Sequence, residues 1–160
     1  MKEIDSTYNE FFKKIIVIFW TTWWLIALWT DIVGGLAHWG WLTASWAPDA
    51  NFPFLLSSLK MYSLPPWLPI FFFLGVMLWS LISSLAFVYA SLKMLANGLK
   101  PAMKYIEIAF IISLSYWLAF FISDQLVMKF DLEENHMVQG GFQLLTFIAL
   151  YCLPEKAHDQ

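Results

Sequence analysis

The feature that most restricts what this chain can become is a set of long stretches almost free of charge. From Ile15 to Thr30, from Trp67 to Leu92 and from Met137 to Leu153 there is no Asp, Glu or Lys, and between Tyr105 and Ile122 the only one is Glu107. A helix rising ~1.5 Å per residue needs about 20 such residues to cross a hydrocarbon core of ~30 Å. The runs therefore predict four transmembrane helices, over about 15–37, 67–92, 105–122 and 137–153. The fourth is only ~24 Å long by the same rise, so it has to borrow interfacial residues or thin the bilayer. Open sheets are excluded in lipid because unpaired backbone groups find no water there. A barrel needs strands of alternating hydrophobicity, which these runs lack. The fold class expected is an all-α integral membrane protein, a four-transmembrane-helix bundle forming a single membrane domain.

Composition agrees. Of the 160 residues, 60% are hydrophobic and 13% charged, where a soluble domain carries about 25% charge. A soluble fold this small leaves much of its surface in water and could not hide so much apolar area. Every basic residue is Lys, which disfavours the bidentate carboxylate or phosphate clamps that a guanidinium provides. With no basic patch either, no nucleic-acid partner is expected. The single Cys152 excludes an intrachain disulfide and a C-x-x-C relay.

Lysine placement predicts orientation. Lys2, Lys13 and Lys14 precede the first run, and Lys93, Lys100 and Lys104 fill the connection between the second and third, while the other connections hold Lys60 and Lys129 alone. The positive-inside rule then puts both termini in the cytoplasm, in a style suited to a bacterial inner membrane. The first run is too long for a cleaved signal h-region and is expected to remain as a span. The first outer connection, about Trp39 to Leu64, opens with Trp39, Trp41 and Trp46, an aromatic set suited to headgroups. Phe52, Leu55, Leu56, Leu59 and Tyr62 then recur at helical spacing, with Ser57, Ser58 and Lys60 off that stripe. This predicts a short amphipathic interfacial helix, capped by Asp49 or Asn51.

Polar residues inside the runs mark the candidate site. Asp31 lies about 24 Å along the first span, near its outer edge, where an ionised carboxylate costs less than the ~3 kcal/mol of the bilayer centre. Thr21, Trp24, Leu28, Asp31, Gly35 and His38 share one stripe, with His38 two turns beyond Asp31 and out of direct contact. The fourth span carries His136, Gln139, Gln143 and Thr146 on one face. The third presents Ser113, Trp117, Phe120 and Asp124. Each has a plain structural alternative: a buried acid or amide bonded to another helix, or, for Asp124, a solvated helix end. Ser80, Ser84 and Ser91 on the second span suit helix packing. Glu107 is expected to meet water or Lys104. Asp31, His38, Asp124, His136, Gln139 and Gln143 nonetheless come from three helices and share the outer level, which predicts an outward-facing polar pocket with Trp24 in its apolar wall. No metal or cofactor is expected: local ligand motifs such as H-E-x-x-H are missing, and Asp131, Glu133, Glu134 and His136 lack diagnostic spacing.

An acid near the outer end of the first span (Asp31), a long first connection ending in Leu59-Lys60-Met61-Tyr62, and Pro65-Pro66-Trp67 opening the second span are similar to the four-helix EXPERA-type membrane proteins, which include sterol isomerases and sigma-2-like ligand-binding proteins. The resemblance covers about the first half of the chain. The membrane acid of the second span in that family has no counterpart between Phe71 and Ala90. What it implies here is an apolar small-molecule or lipid ligand rather than isomerase chemistry. Two functions are therefore expected in competition. One is a binding or accessory protein in the lipid bilayer, holding an apolar ligand or lipid or docking on a homo-oligomeric or other membrane-protein partner. The other is an enzyme acting on a lipid-soluble substrate through an Asp/His acid–base site. Transport ranks behind both, because no inverted repeat is visible.

Overall fold

In the computed structural model, residues 2–43, 46 and 50–154 are described. They form five helices and, among these residues, no strand: α1 (Lys2–His38), α2 (Asn51–Leu59), α3 (Trp67–Asn97), α4 (Leu99–Leu126) and α5 (Phe130–Cys152). Three of them, α1 over Thr7–His38, α3 and α4, are long and apolar enough to cross a membrane. The helices are longer than the charge-free runs because backbone hydrogen bonding continues past the apolar section. Thus α1 extends back through Lys13 and Lys14, and α5 begins among Asp131, Glu133 and Glu134.

Local chemistry sets the boundaries. Pro66 caps α3 with φ −58°, already the helical value that its ring imposes. Gly98 sits at φ 85°, where a side chain is disfavoured, and separates α3 from α4 while its N–H bonds Met94 O at 3.0 Å. Pro101 falls in the first turn of α4, where no intrahelical donor is lost. At the α4–α5 turn Met128 takes φ 52°, and Lys129 N–H reaches back to Asp124 O at 3.0 Å. Leu153 turns extended before Pro154, as a residue preceding proline must.

Around the bundle the order is α1, α3, α4, α5. The α3–α4 contact is the most extensive, since Ala90, Ala102 and Ala109 are fully buried and let the backbones approach. Serines sew α1 to α3: Ser91 Oγ meets Thr21 Oγ1 at 2.7 Å, Ser84 Oγ donates to Trp24 O at 2.8 Å, and Ser80 Oγ donates to Asp31. Ser84 and Ser91 have the packing role expected of them, while Ser80 is turned to the buried acid. Where α1 comes nearest α5, large side chains fill the seam, with Phe19 and Trp20 against Phe142 at 6.0 and 5.8 Å between ring centroids.

The short α2 lies over one end of α1 and α3 with Phe52 buried against Phe73. Its inward side differs from the expected stripe. Ser58 is buried and Leu56 exposed, because Ser58 satisfies its hydroxyl within the helix on Phe54 O at 3.0 Å. Ala50 occupies the cap position, Asn51 spends its side chain elsewhere, and Asp49 lies outside the described residues.

Candidate functional site

The inner face of α4 is the spine of the candidate site. Ser113, Tyr116, Trp117 and Asp124 are all buried there at helical spacing. On one side this face meets α1 and α3; on the other it meets α5.

The first polar cluster is built on Asp31. Its two carboxylate oxygens each accept one neutral donor, Asn51 Nδ2 at 2.9 Å and Ser80 Oγ at 2.9 Å. The Tyr116 hydroxyl lies beside Ser80, within electrostatic reach of the carboxylate. Three elements, α2, α3 and α4, thus converge on one buried acid of α1. The two donors offset part of the desolvation cost of an acid removed from water.

The second cluster joins α4 to α5. Gln143, fully buried, accepts from Trp117 Nε1 at 2.7 Å and donates to Ser113 Oγ at 2.9 Å. Thr146, one turn on, receives Trp20 Nε1 at 2.8 Å and bonds Gln143 O at 2.8 Å. Nearer the α4–α5 turn, His136 Nδ1 pairs directly with Asp124, whose carboxyl is buried. The imidazole rests against Phe120, with ring centroids 4.7 Å apart. Asp124 is therefore not a solvated helix end. Chain reversal at Met128 folds the α5 start onto it. Close approach of the two helices is possible because Gly140 faces the stem of Trp117.

Between the clusters stands a layer of aromatic rings. Trp24 lies 5.0 Å from Trp23, 5.1 Å from Tyr116 and 5.9 Å from Trp117 by ring centroids, and Trp23 lies 5.4 Å from Trp117. Trp24 is wholly buried, yet its Nε1–H has no hydrogen-bond partner among the described residues; Ser83 Oγ shares that condition. A buried unsatisfied donor costs about 1–3 kcal/mol, and native folds rarely leave one.

Other candidates stand apart. His38 is at the exposed end of α1, where its ring packs on Phe52 at 4.4 Å. Gln139 is half-buried and bonds Asn135, one turn away on the same helix, at 3.0 Å. Glu107 meets neither Lys104 nor bulk water alone; it accepts from Tyr151 of α5 at 2.6 Å. Among the described residues no three His, Cys, Asp or Glu side chains gather closely enough to hold a metal. Sequence reasoning did not single out Tyr116 or Ser83. Tyr116 alone carried a usable signal, as a tyrosine one residue before Trp117 on a buried face.

No family model, no curated protein and no solved structure matches this chain.

Proposed function

We propose that this is a four-span membrane protein that binds a small, largely apolar molecule inside the bundle, at the aromatic layer around Trp24. The observation that carries the reading is the buried indole N–H of Trp24 without an acceptor. A molecule with an apolar body and one carbonyl or ether oxygen would accept that hydrogen by displacing the Trp23, Tyr116 and Trp117 rings, which pack on Trp24 at 5.0 to 5.9 Å between centroids. Sites of this kind are mostly apolar with a few placed polar groups. The α1–α5 seam, closed by side chains rather than by backbone contact, offers the sideways route from lipid.

The fourth span in this reading is α5. From Met137 to Cys152 the exposed positions are Met137, Val138, Phe142, Leu144, Leu145, Ile148, Tyr151 and Cys152, a surface suited to lipid. The acids at its start stay at the outer headgroups, α2 rests on the same surface, and both termini face the cytoplasm of a bacterial inner membrane. A reporter fused after Gln160 tests this: cytoplasmic activity agrees with four spans, and external activity refutes it. The binding claim is tested by organic extraction of protein purified in mild detergent. One enriched non-phospholipid molecule supports it; an extract no different from that of an unrelated membrane protein opposes it.

A second reading has one specific observation in its favour. Asp124 and His136 are in hydrogen-bond contact through Nδ1, which leaves Nε2 as the atom able to exchange a proton with a substrate. In that reading Asp124 orients the ring and His136 is the acid–base group. Conversion of the extracted molecule by wild type, but not by His136→Gln, would decide for it.

A further inference from the structure

A second site of different character lies at the α2 end of the bundle. Between α2, the connection to α3 and the first turns of α3 is a groove of about 440 Å³. Its walls are apolar, formed chiefly by Phe52, Leu56, Leu59, Pro69 and Ile70. Pro66 and Pro69 stiffen one bank, and the Tyr62 hydroxyl, on the other, is anchored to Leu126 O of α4 at 2.6 Å. Among the described residues that line it one is charged, Lys60, and none is acidic. The groove adjoins the Trp67 end of α3, the level at which a span starting there meets the headgroups.

We infer that this groove holds one acyl chain of an anionic phospholipid, with Lys60 against its phosphate. Three features fit that occupant together. The volume lies within the ~300–1,000 Å³ of ordinary ligand sites. The walls match hydrocarbon and are continuous with exposed Ile70 and Phe71, so a chain enters from the bilayer without crossing water. The lone cation sits where a headgroup would be, and a surface lysine attracts anionic lipid by about 1 kcal/mol. The inference rests on the membrane placement of α3 and not on the interior site at Trp24.

The test is native mass spectrometry of the full chain in mild detergent, delipidated and titrated with phosphatidylglycerol or with zwitterionic phosphatidylethanolamine. Wild type should take up one phosphatidylglycerol before any second adduct, in preference to phosphatidylethanolamine. Lys60→Gln should weaken phosphatidylglycerol uptake about fivefold, as loss of one surface cation implies, and bring the two lipids level. Leu56→Glu, at an exposed position that does not risk the fold, should weaken it further, while Trp24→Phe should leave it unchanged. Equal uptake of both lipids by wild type, or a Lys60→Gln protein indistinguishable from wild type, overturns the assignment. So does a graded series of adducts with no preferred first one.

Discussion

Two neighbouring glycines give a sharp test of how α5 is seated. A methyl group on Gly140 would lie 2.9 Å from Trp117 Cβ and 3.2 Å from its Cγ, whereas one on Gly141 would meet nothing within 4 Å. The clash at Gly140 is with the stem of a large side chain, and that stem cannot swing away. The indole is fixed by its 2.7 Å bond to Gln143 and by the Trp23 and Tyr116 rings around it. Overpacking of this kind costs about 1–3 kcal/mol, and displacing the indole far enough to break the Gln143 bond adds ~1 kcal/mol or more. Alanine returns up to ~1 kcal/mol through helix propensity. Gly140→Ala should therefore be less stable than wild type by ~1–3 kcal/mol, and Gly141→Ala equal or better by up to ~1 kcal/mol. The measurement is reversible unfolding in mixed micelles by rising sodium dodecyl sulfate, followed by far-ultraviolet circular dichroism. If Gly140→Ala unfolds at the same detergent fraction as Gly141→Ala, α5 does not pack on Trp117 and the second polar cluster is wrongly drawn.

Other perturbations follow the same logic. Gln143→Leu leaves Trp117 Nε1 without its acceptor, while Ser113 Oγ keeps its bond to Phe110 O, and should cost ~1–3 kcal/mol in the same assay; a neutral result would show that water replaces the amide. Asp31→Asn turns an acceptor into a donor facing Ser80 or Asn51. It should loosen α2 by ~1–2 kcal/mol without preventing insertion, read as faster proteolysis between Trp39 and Leu64. Met128→Gly relieves a side chain at φ 52° and should raise stability by up to ~1 kcal/mol; a loss would mean that the Met128 side chain packs usefully.

The helices were legible in the uncharged runs, and three of them, α1, α3 and α4, are long and apolar enough to cross a membrane, because lipid leaves few alternatives to a helix. What periodicity could not give was which helix neighbours which. Asp31 and Ser80 are far apart in sequence and meet because α1 and α3 lie side by side, a pairing that no spacing rule predicts. Stripes also report faces and not partners. His136, Gln139 and Gln143 share a face, yet Gln143 bridges Trp117 and Ser113, His136 meets Asp124, and Gln139 turns back to Asn135. Ser58 misled because its hydroxyl is satisfied within α2, so burial costs it little. Trp24 was visible as an apolar wall; that its N–H would lack an acceptor depends on three rings from α1 and α4 that close around it.

The claim at the centre of this account is the interior site, and one comparison tests it most directly: the molecule recovered from wild type, from Trp24→Phe and from Trp29→Phe, each purified alike and read by native mass spectrometry before and after organic extraction. Trp29 is half exposed and stacks on Trp46 at 6.0 Å, so it controls for the loss of an indole elsewhere on the same helix. One bound small-molecule mass is expected on wild type and Trp29→Phe, lost or reduced at least tenfold on Trp24→Phe. The same mass retained on Trp24→Phe, or wild type bare of any adduct other than phospholipid, would contradict it and make the polar clusters devices of helix packing alone.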